Sequence, residues 1–335
     1  MSLLAQPWLP GPWLAWLPPA GDDRIAVVAV AAALGSALCW ALGSLLFERN
    51  LSRSRGTLAP PSPAAANLFK NVLAGACFLA WFALSGASAP SIEAWPWLLL
   101  SGACGFALGD TLYFAALPRA GVQVAALVGL VHVPAAVSIE WAMGGPALSS
   151  ATFLGMTVVL AGVALVVADA PRVRADVPAS TRRAGIACAA LGAIAQAVGV
   201  VVGHRGMDGT SLIGGTLVRL LGGVAGALVI ATLAGVARRR VGAEWRTLAS
   251  PFVHAALARP LFVAAMFGSV VGLPLFHVGL RELPSGVAAV LFATTPLFTL
   301  PISWFTGTRL SWRSVVGTLV GFGGVVFVTW TLSNA

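Results

Sequence analysis

"VPAAVSIEWAMGGPALSSATFLGMTVVLAG" (residues 133–162) and "TPLFTLPISWFTGTRLSWRSVVGTLVGFGG" (residues 295–324) are two copies of one pattern. Pro134, Gly145, Leu148, Ser149, Gly155 and Gly162 recur 162 residues later as Pro296, Gly307, Leu310, Ser311, Gly317 and Gly324. Each copy lies in almost uniformly apolar sequence. A duplicated unit in such a chain points to a two-fold architecture with a site between the halves.

Composition sets the solvent. The chain has 335 residues, 58% hydrophobic and 9% charged, where a soluble domain carries roughly 25% charged residues. It cannot cover a water-facing surface, so an integral membrane protein is expected, with the lipid bilayer as its first partner. The net charge of +9 sits in short loops between apolar runs, where the positive-inside effect places it. Nucleic acid is therefore not expected as a partner. Cys39, Cys77, Cys104 and Cys188 fall in four different apolar runs, without CxxC or Cys/His spacing. They imply small buried side chains rather than a metal site or a disulfide framework. Residues 1–24, with Trp8, Trp13 and Trp16 among prolines, lack the basic start of a signal peptide and are too broken to span. They are expected to lie at the membrane surface.

A bilayer core of about 30 Å takes roughly 20 apolar helical residues. Ten runs qualify: 25–47, 65–85, 95–117, 121–143, 150–168, 184–203, 212–235, 260–280, 285–306 and 314–333. Their length and continuity predict helices rather than strands. The duplication divides them into residues 25–168 and 184–333, joined by a linker over 169–183 with Pro171, Pro178 and four arginines. Further positions correspond: Leu34-Gly35 with Leu191-Gly192, Lys70 with Arg219, Gly109 and Leu112 with Gly272 and Leu275, and Gly121-Val122 with Gly286-Val287. Because each half would cross an odd number of times, the second must be upside down relative to the first. The expected fold is an all-α polytopic membrane protein of ten transmembrane helices arranged as two inverted five-helix repeats. Loops after odd-numbered runs carry Arg49, Arg53, Arg55, Arg119, Arg172, Arg174, Arg182, Arg183, Arg238, Arg239, Arg240, Arg246, Arg259, Arg309 and Arg313, against Arg24, Arg205 and Arg281 on the other side. That bias places the odd loops in the cytoplasm and both termini outside.

"GVAAVLFATTPLFTLPISWFTGTRLSWRSVVGTLVGFGGVVFV" (286–328) resembles the second-half signature of EamA-type transporters of the drug/metabolite transporter superfamily. "GDTLYFAALPRAGV" (109–122) is similar to their third-to-fourth helix segment. The resemblance implies a ten-helix bundle in the inner membrane, a central cavity, and export of metabolites, amino acids or drugs. The family commonly has a Gly-Glu-Arg-Leu turn after the ninth helix, where this chain reads Gly307-Thr308-Arg309-Leu310. Any role of that glutamate is absent here. The family also usually places its termini in the cytoplasm, against the arginine count.

Ionisable groups in hydrocarbon need a partner, a cavity or a function. Six lie inside the expected helices: Lys70, Asp110, His132, Glu140, Arg219 and His277. Lys70 and Arg219 stand roughly 8–11 Å in from their helix ends. They read as cavity-mouth charges or as snorkelling side chains, with Glu48 and Asp208 as acidic partners on the same side. Glu140, within a turn of its helix end, joins this mouth or simply meets headgroup water. Asp110 is roughly 12 Å deep, too far for a short side chain to reach water. Tyr113, Phe114 and Leu117 follow on its face at i+3, i+4 and i+7. Asp110 is thus a candidate to carry a proton or a cationic group, or else to lock two helices. His132, near Pro134, and His277, after Pro274, could titrate if hydrated, or bond a backbone carbonyl as neutral rings. Trp40 and Gln196 occupy nearly matching places in the first and sixth runs and are candidates to touch substrate. The small-molecule pathway read from sequence is therefore Asp110, Tyr113, His277, His132, Trp40 and Gln196.

The glycine-rich fifth and tenth runs look structural or offer a homodimer surface. No P-loop, HExxH, GxSxG or paired intramembrane aspartates occur, so neither ATP use nor catalysis is indicated, and no cofactor or catalytic residue is assigned. The leading reading is a secondary transporter working by alternating access. An uncoupled facilitator or channel, and less so an intramembrane enzyme, are the alternatives.

Overall fold

Apolar segments in lipid must close their backbone hydrogen bonds within themselves, and this chain does so as helices. The computed structural model describes residues 23–54, 56–144, 149–173, 177–237, 239–282, 291–305 and 311–333. In order, the helices are α1 (Asp23–Ser52), α2 (Pro63–Ser85), α3 (Trp95–Ala120), α4 (Val122–Ala142), α5 (Ser150–Val173) and α6 (Ala179–Met207). Then follow α7 (Leu212–Ala237), α8 (Val241–Val253), α9 (255–282), α10 (Thr295–Phe305) and α11 (Trp312–Ser333). Among the described residues, eight helices are long and apolar enough to cross a membrane, and α11 is apolar but shorter by that measure. Of the expected run 285–306, only residues 291–305 are described. The expected surface segment 1–24 lies outside the described residues, apart from Asp23 and Arg24, which open α1.

One element went unread in the sequence. Residues 236–259 look like a polar loop, yet Val241–Val253 forms α8. Val241, Trp245 and Phe252 are exposed on it while Leu248 and Pro251 are buried. The helix is amphipathic, too short to span, and built to lie along the bundle rather than through it. The helices also reach into the expected linker, since α5 runs to Val173 and α6 starts at Ala179.

The duplicated residues have local jobs. Ser149 accepts from the backbone N–H of Thr152 (3.1 Å) and Ser311 from that of Ser314 (3.3 Å), so each caps the start of its helix, α5 or α11. The duplicated Gly155, Gly162, Gly317 and Gly324 form the seam between those two helices. Gly155 lies against Val328, Gly162 against Gly321 and Gly317, Gly317 against Val166, and Gly324 against Val159. Falling numbers on one helix meet rising numbers on the other, so α5 and α11 are antiparallel. Thr152 bonds Thr331 at one end (3.2 Å), and the fully buried Asp169 accepts from Ser311 and Ser314 at the other. This glycine face is thus occupied within the chain, and a homodimer would need other surfaces. A Cβ at Gly162 would lie 2.5 Å from Gly321 Cα and 2.6 Å from Gly317 O. Gly162→Ala is therefore expected to cost about 1–3 kcal/mol, measured as a lower midpoint of thermal unfolding in detergent.

Two other pairings are antiparallel as well. Along α3 and α6, Leu98 faces Gly206, Ser101 faces Gly203, Gly105 faces Gly199 and Gly109 faces Gly192. Along α1 and α9, Gly35 faces Leu275, Gly43 faces Gly268, and Asn50 donates to Pro260 O (3.1 Å). The α3–α7 pair runs parallel, with Gly102 at Arg219 and Ala107 at Gly226.

The regular helix fails at corresponding places in the two halves. α3 widens to a π-helix over Ala103–Gly109, and α9 does the same over Met266–Val271. α4 breaks in a turn at Leu130-Val131, and a turn at Ala293-Thr294 precedes α10. Such interruptions in membrane helices are tolerated where neighbours satisfy the freed backbone groups, and they recur at functional sites.

Candidate functional site

The site is built on α2, whose sequence Asn67-Leu68-Phe69-Lys70-Asn71 puts three polar side chains at i, i+3 and i+4 on one face. All three are buried. Carbonyls of the widened turn of α3 accept from the amides of α2. Asn67 Nδ2 donates to Phe106 O (2.7 Å), Ala107 O (3.1 Å) and Thr111 Oγ1 (2.9 Å), and Asn71 Nδ2 donates to Phe106 O (3.1 Å). Asp110 emerges immediately after this segment, aimed back at α2.

Lys70 Nζ donates to one carboxylate oxygen of Asp110 and Gln196 Nε2, from α6, donates to the other. Asp110 is 1% exposed and Lys70 3%. Removing two charges from water costs several kcal/mol per ion, repaid only when the partners meet well and the remaining lone pairs are filled. Here both oxygens are occupied. Lys70 and Asp110 belong to the first half and Gln196 to the second, so the network ties the halves together.

An aromatic group adjoins it one turn along α3. Tyr113 Oη bonds Ser44 Oγ on α1 (3.1 Å). The Tyr113 ring lies 6.4 Å from Trp40, which is 6.2 Å from Phe292, itself 4.9 Å from Phe276. These rings come from α1, α3, α9 and the segment before α10, and therefore from both halves.

Arg219 of α7 sits on the opposite side of the widened turn. Its Nε donates to Ser101 Oγ (2.9 Å), which donates in turn to Gly199 O (2.6 Å). Its guanidinium lies 4.8 Å from the centre of the Phe106 ring, and Lys70 Nζ lies 5.7 Å from the same ring. Phe106 is thus flanked by two cations. Buried acceptors remain around it, since Asn67 Oδ1 and Asn71 Oδ1 have no hydrogen-bond partner among the described residues.

The expected site residues divide into two groups. Asp110, Lys70 and Gln196 are brought into one network, with Tyr113 and Trp40 beside it. Two expected pairings are corrected. Lys70 does not meet Glu48, because α2 turns its polar face inward onto Asp110; Glu48 instead accepts from Val122 N (3.3 Å) at the start of α4. Arg219 bonds Ser101 rather than Asp208, because α7 packs along α3. His132 bonds a carbonyl of its own helix, Gly129 O (2.9 Å), at the break in α4. The same capping is done in the other half by Thr295 on Phe292 O (2.7 Å). Glu140 is exposed near the end of α4. His277 belongs to the helix Gly272–Glu282, and its side chain lies outside what is described. Asn67, Asn71, Ser101 and Phe106 were missed. The first two were legible as amides one turn apart in an apolar run, on the face that carries Lys70.

The sequence matches the model of the EamA-like transporter family over residues 27–168 and 183–330. Among solved structures, one titled "Crystal structure of protein" aligns with 18% identity and a TM-score of 0.53, covering 92% of this chain and 98% of the other. At that identity it speaks for the fold alone. No curated protein sequence matches the chain.

Proposed function

Since the chain belongs to the EamA-like transporter family and is a multi-pass membrane protein, we propose that it is a secondary-active transporter of the inner membrane. It exports small metabolites, amino acids among them, or drugs by alternating access. Ten crossings form two inverted repeats, and the substrate site lies between them.

Contact symmetry supports the inverted repeat. The seam contact Gly155–Val328 becomes Gly317–Val166 when the two copies are exchanged, and Gly162–Gly321 becomes Gly324–Val159. The antiparallel α3–α6 pair has its counterpart in α1–α9. The observation that carries the functional reading is the buried carboxylate of Asp110, held by Lys70 from its own half and Gln196 from the other. While Asp110 is ionised, it clamps Gln196 and neutralises Lys70. Protonation weakens both bonds and frees one half to rock against the other. A proton on Asp110 therefore selects between two packings of the interface.

Uptake of radiolabelled amino acids and small metabolites into inside-acid proteoliposomes tests this. Wild-type protein should show gradient-driven, saturable flux. Asp110→Asn keeps the shape but cannot cycle a proton, and should lower the gradient-dependent component by about tenfold or more, the equivalent of one charge-assisted hydrogen bond. Equal flux with and without the gradient in wild type would point to an uncoupled facilitator. Unchanged gradient-driven flux in Asp110→Asn would remove Asp110 from the proton's path.

A further inference from the structure

We infer that Arg219 receives an anionic group of the solute, so that the site takes small organic anions or zwitterions rather than cations or uncharged drugs. This rests on the reading of the half-to-half interface as the transport site and adds the class of ligand it accepts.

Charge is the first argument. Around Phe106 stand two cations, Lys70 and Arg219, and one carboxylate, Asp110, already paired with Lys70. Among the described residues, no carboxylate lies within ion-pair distance of Arg219, and its longer-range neighbour Asp110 is shared with Lys70. The cluster thus carries one more positive than negative charge, with half-buried Arg219 lying within a membrane-spanning helix, where charges mark ion or substrate pathways.

Orientation is the second. Arg219 is anchored by Nε on Ser101 and by the face of Phe106. Among the described residues, no group bonds its η N–H groups, the pair of donors that grips carboxylate or phosphate in two parallel bonds. Ser101 is itself fixed by Gly199 O, so the anchor spans α3, α6 and α7 and belongs to both halves.

The third is the set of complementary acceptors. Asn67 and Asn71 donate through Nδ2 to the Phe106 carbonyl, which fixes which end of each amide is which. Their Oδ1 atoms are buried and unbonded. A buried acceptor left unfilled costs about 1–3 kcal/mol. Both amides adjoin Phe106, whose ring Arg219 covers, so a ligand that carries a donor beside its anionic group matches the chemistry of this region.

The experiment is thermal unfolding of the purified full chain in neutral detergent, titrated with sodium acetate, glycine and phosphate. Acetamide and tetramethylammonium chloride serve as uncharged and cationic controls, and sodium chloride balances the ionic strength. Saturable stabilisation of about 3 °C or more by acetate, glycine or phosphate is expected, with none from acetamide or tetramethylammonium. Arg219→Gln should abolish that stabilisation while leaving the ligand-free midpoint unchanged or raised, because it removes an unbalanced charge. Arg219→Lys should weaken the anion effect without abolishing it. Three results would each overturn the inference: an Arg219→Gln protein that responds to anions as wild type does, one whose ligand-free midpoint falls, or stabilisation by tetramethylammonium alone. Arg219-dependent stabilisation by added phosphatidylglycerol but by none of the soluble anions would also overturn it, placing a lipid headgroup there instead. Anion binding without solute flux in liposomes keeps this site and defeats the transport reading. Flux with no anion effect does the reverse.

Discussion

Lys70→Met is expected to destabilise the protein by about 3–5 kcal/mol, the usual consequence of leaving one member of a buried ion pair alone. Lys70 and Asp110 are each almost wholly buried, and Lys70 is the only cation bonded to that carboxylate among the described residues. Gln196 cannot make up the difference, because a neutral amide satisfies a lone pair but not a charge. The double variant Lys70→Met/Asp110→Leu should recover more than half of the loss, since replacing both members with apolar groups removes the desolvation cost together with the attraction. Thermal or denaturant unfolding of the wild type, both single variants and the double variant closes the cycle. A single variant as stable as wild type would mean that the pair contributes little. A double variant as damaged as the sum of its parts would mean that the two residues act independently.

The second large effect is expected at Gly102, the residue immediately before the widened segment of α3. A Cβ there would overlap the carbonyl oxygen of Arg219 and lie 2.7 Å from its carbonyl carbon and 2.9 Å from Gly223 N. These atoms are backbone and cannot rotate away, so α3 and α7 would have to separate. Gly102→Ala should cost about 3 kcal/mol, the upper end for overpacking, and should displace Arg219 from Ser101. The control is Gly75→Ala on α2. A Cβ at that position meets nothing within 4 Å, and alanine's better helix propensity is worth at most about 1 kcal/mol. Equal loss in the two variants would indicate general sensitivity of the bundle to glycine replacement rather than a close α3–α7 crossing.

Much of the fold was legible because lipid enforces one rule. Apolar run length located the long helices to within a few residues, and the duplicated Ser and Gly positions, legible as a repeat, prove to cap and pack the α5–α11 pair. Two things were not legible. α8 escaped because a short amphipathic helix mixes Arg246 and Glu244 with Trp245 and Phe252, which reads as a polar loop by hydropathy. The π-segments escaped because their cause is tertiary. The amides of Asn67 and Asn71 bond carbonyls of the widened turn from another helix, and nothing within 103–109 alone demands the wider turn.

At the site, depth identified Asp110 as a residue that had to have a partner, but sequence distance suggested the wrong ones. Glu48 and Asp208 are near Lys70 and Arg219 along the chain's membrane sides, whereas the pairing is decided by which faces of α2, α3, α6 and α7 meet. The two histidines stood out by type. His132 proves to do on its helix what Thr295 does on the other, which is a helix-break task and not a distinguishing feature of the site.

Whether a substrate site between the two halves opens to each side in turn is decided by access to Ser44. This residue is buried and bonded to Tyr113, and cysteine is close to it in size. In a chain with Cys39, Cys77, Cys104 and Cys188 replaced by alanine, Ser44→Cys should react with a membrane-impermeant maleimide added from either face of the membrane. Labelling from one face only, or from neither, in protein that still carries out flux would contradict alternating access at this site.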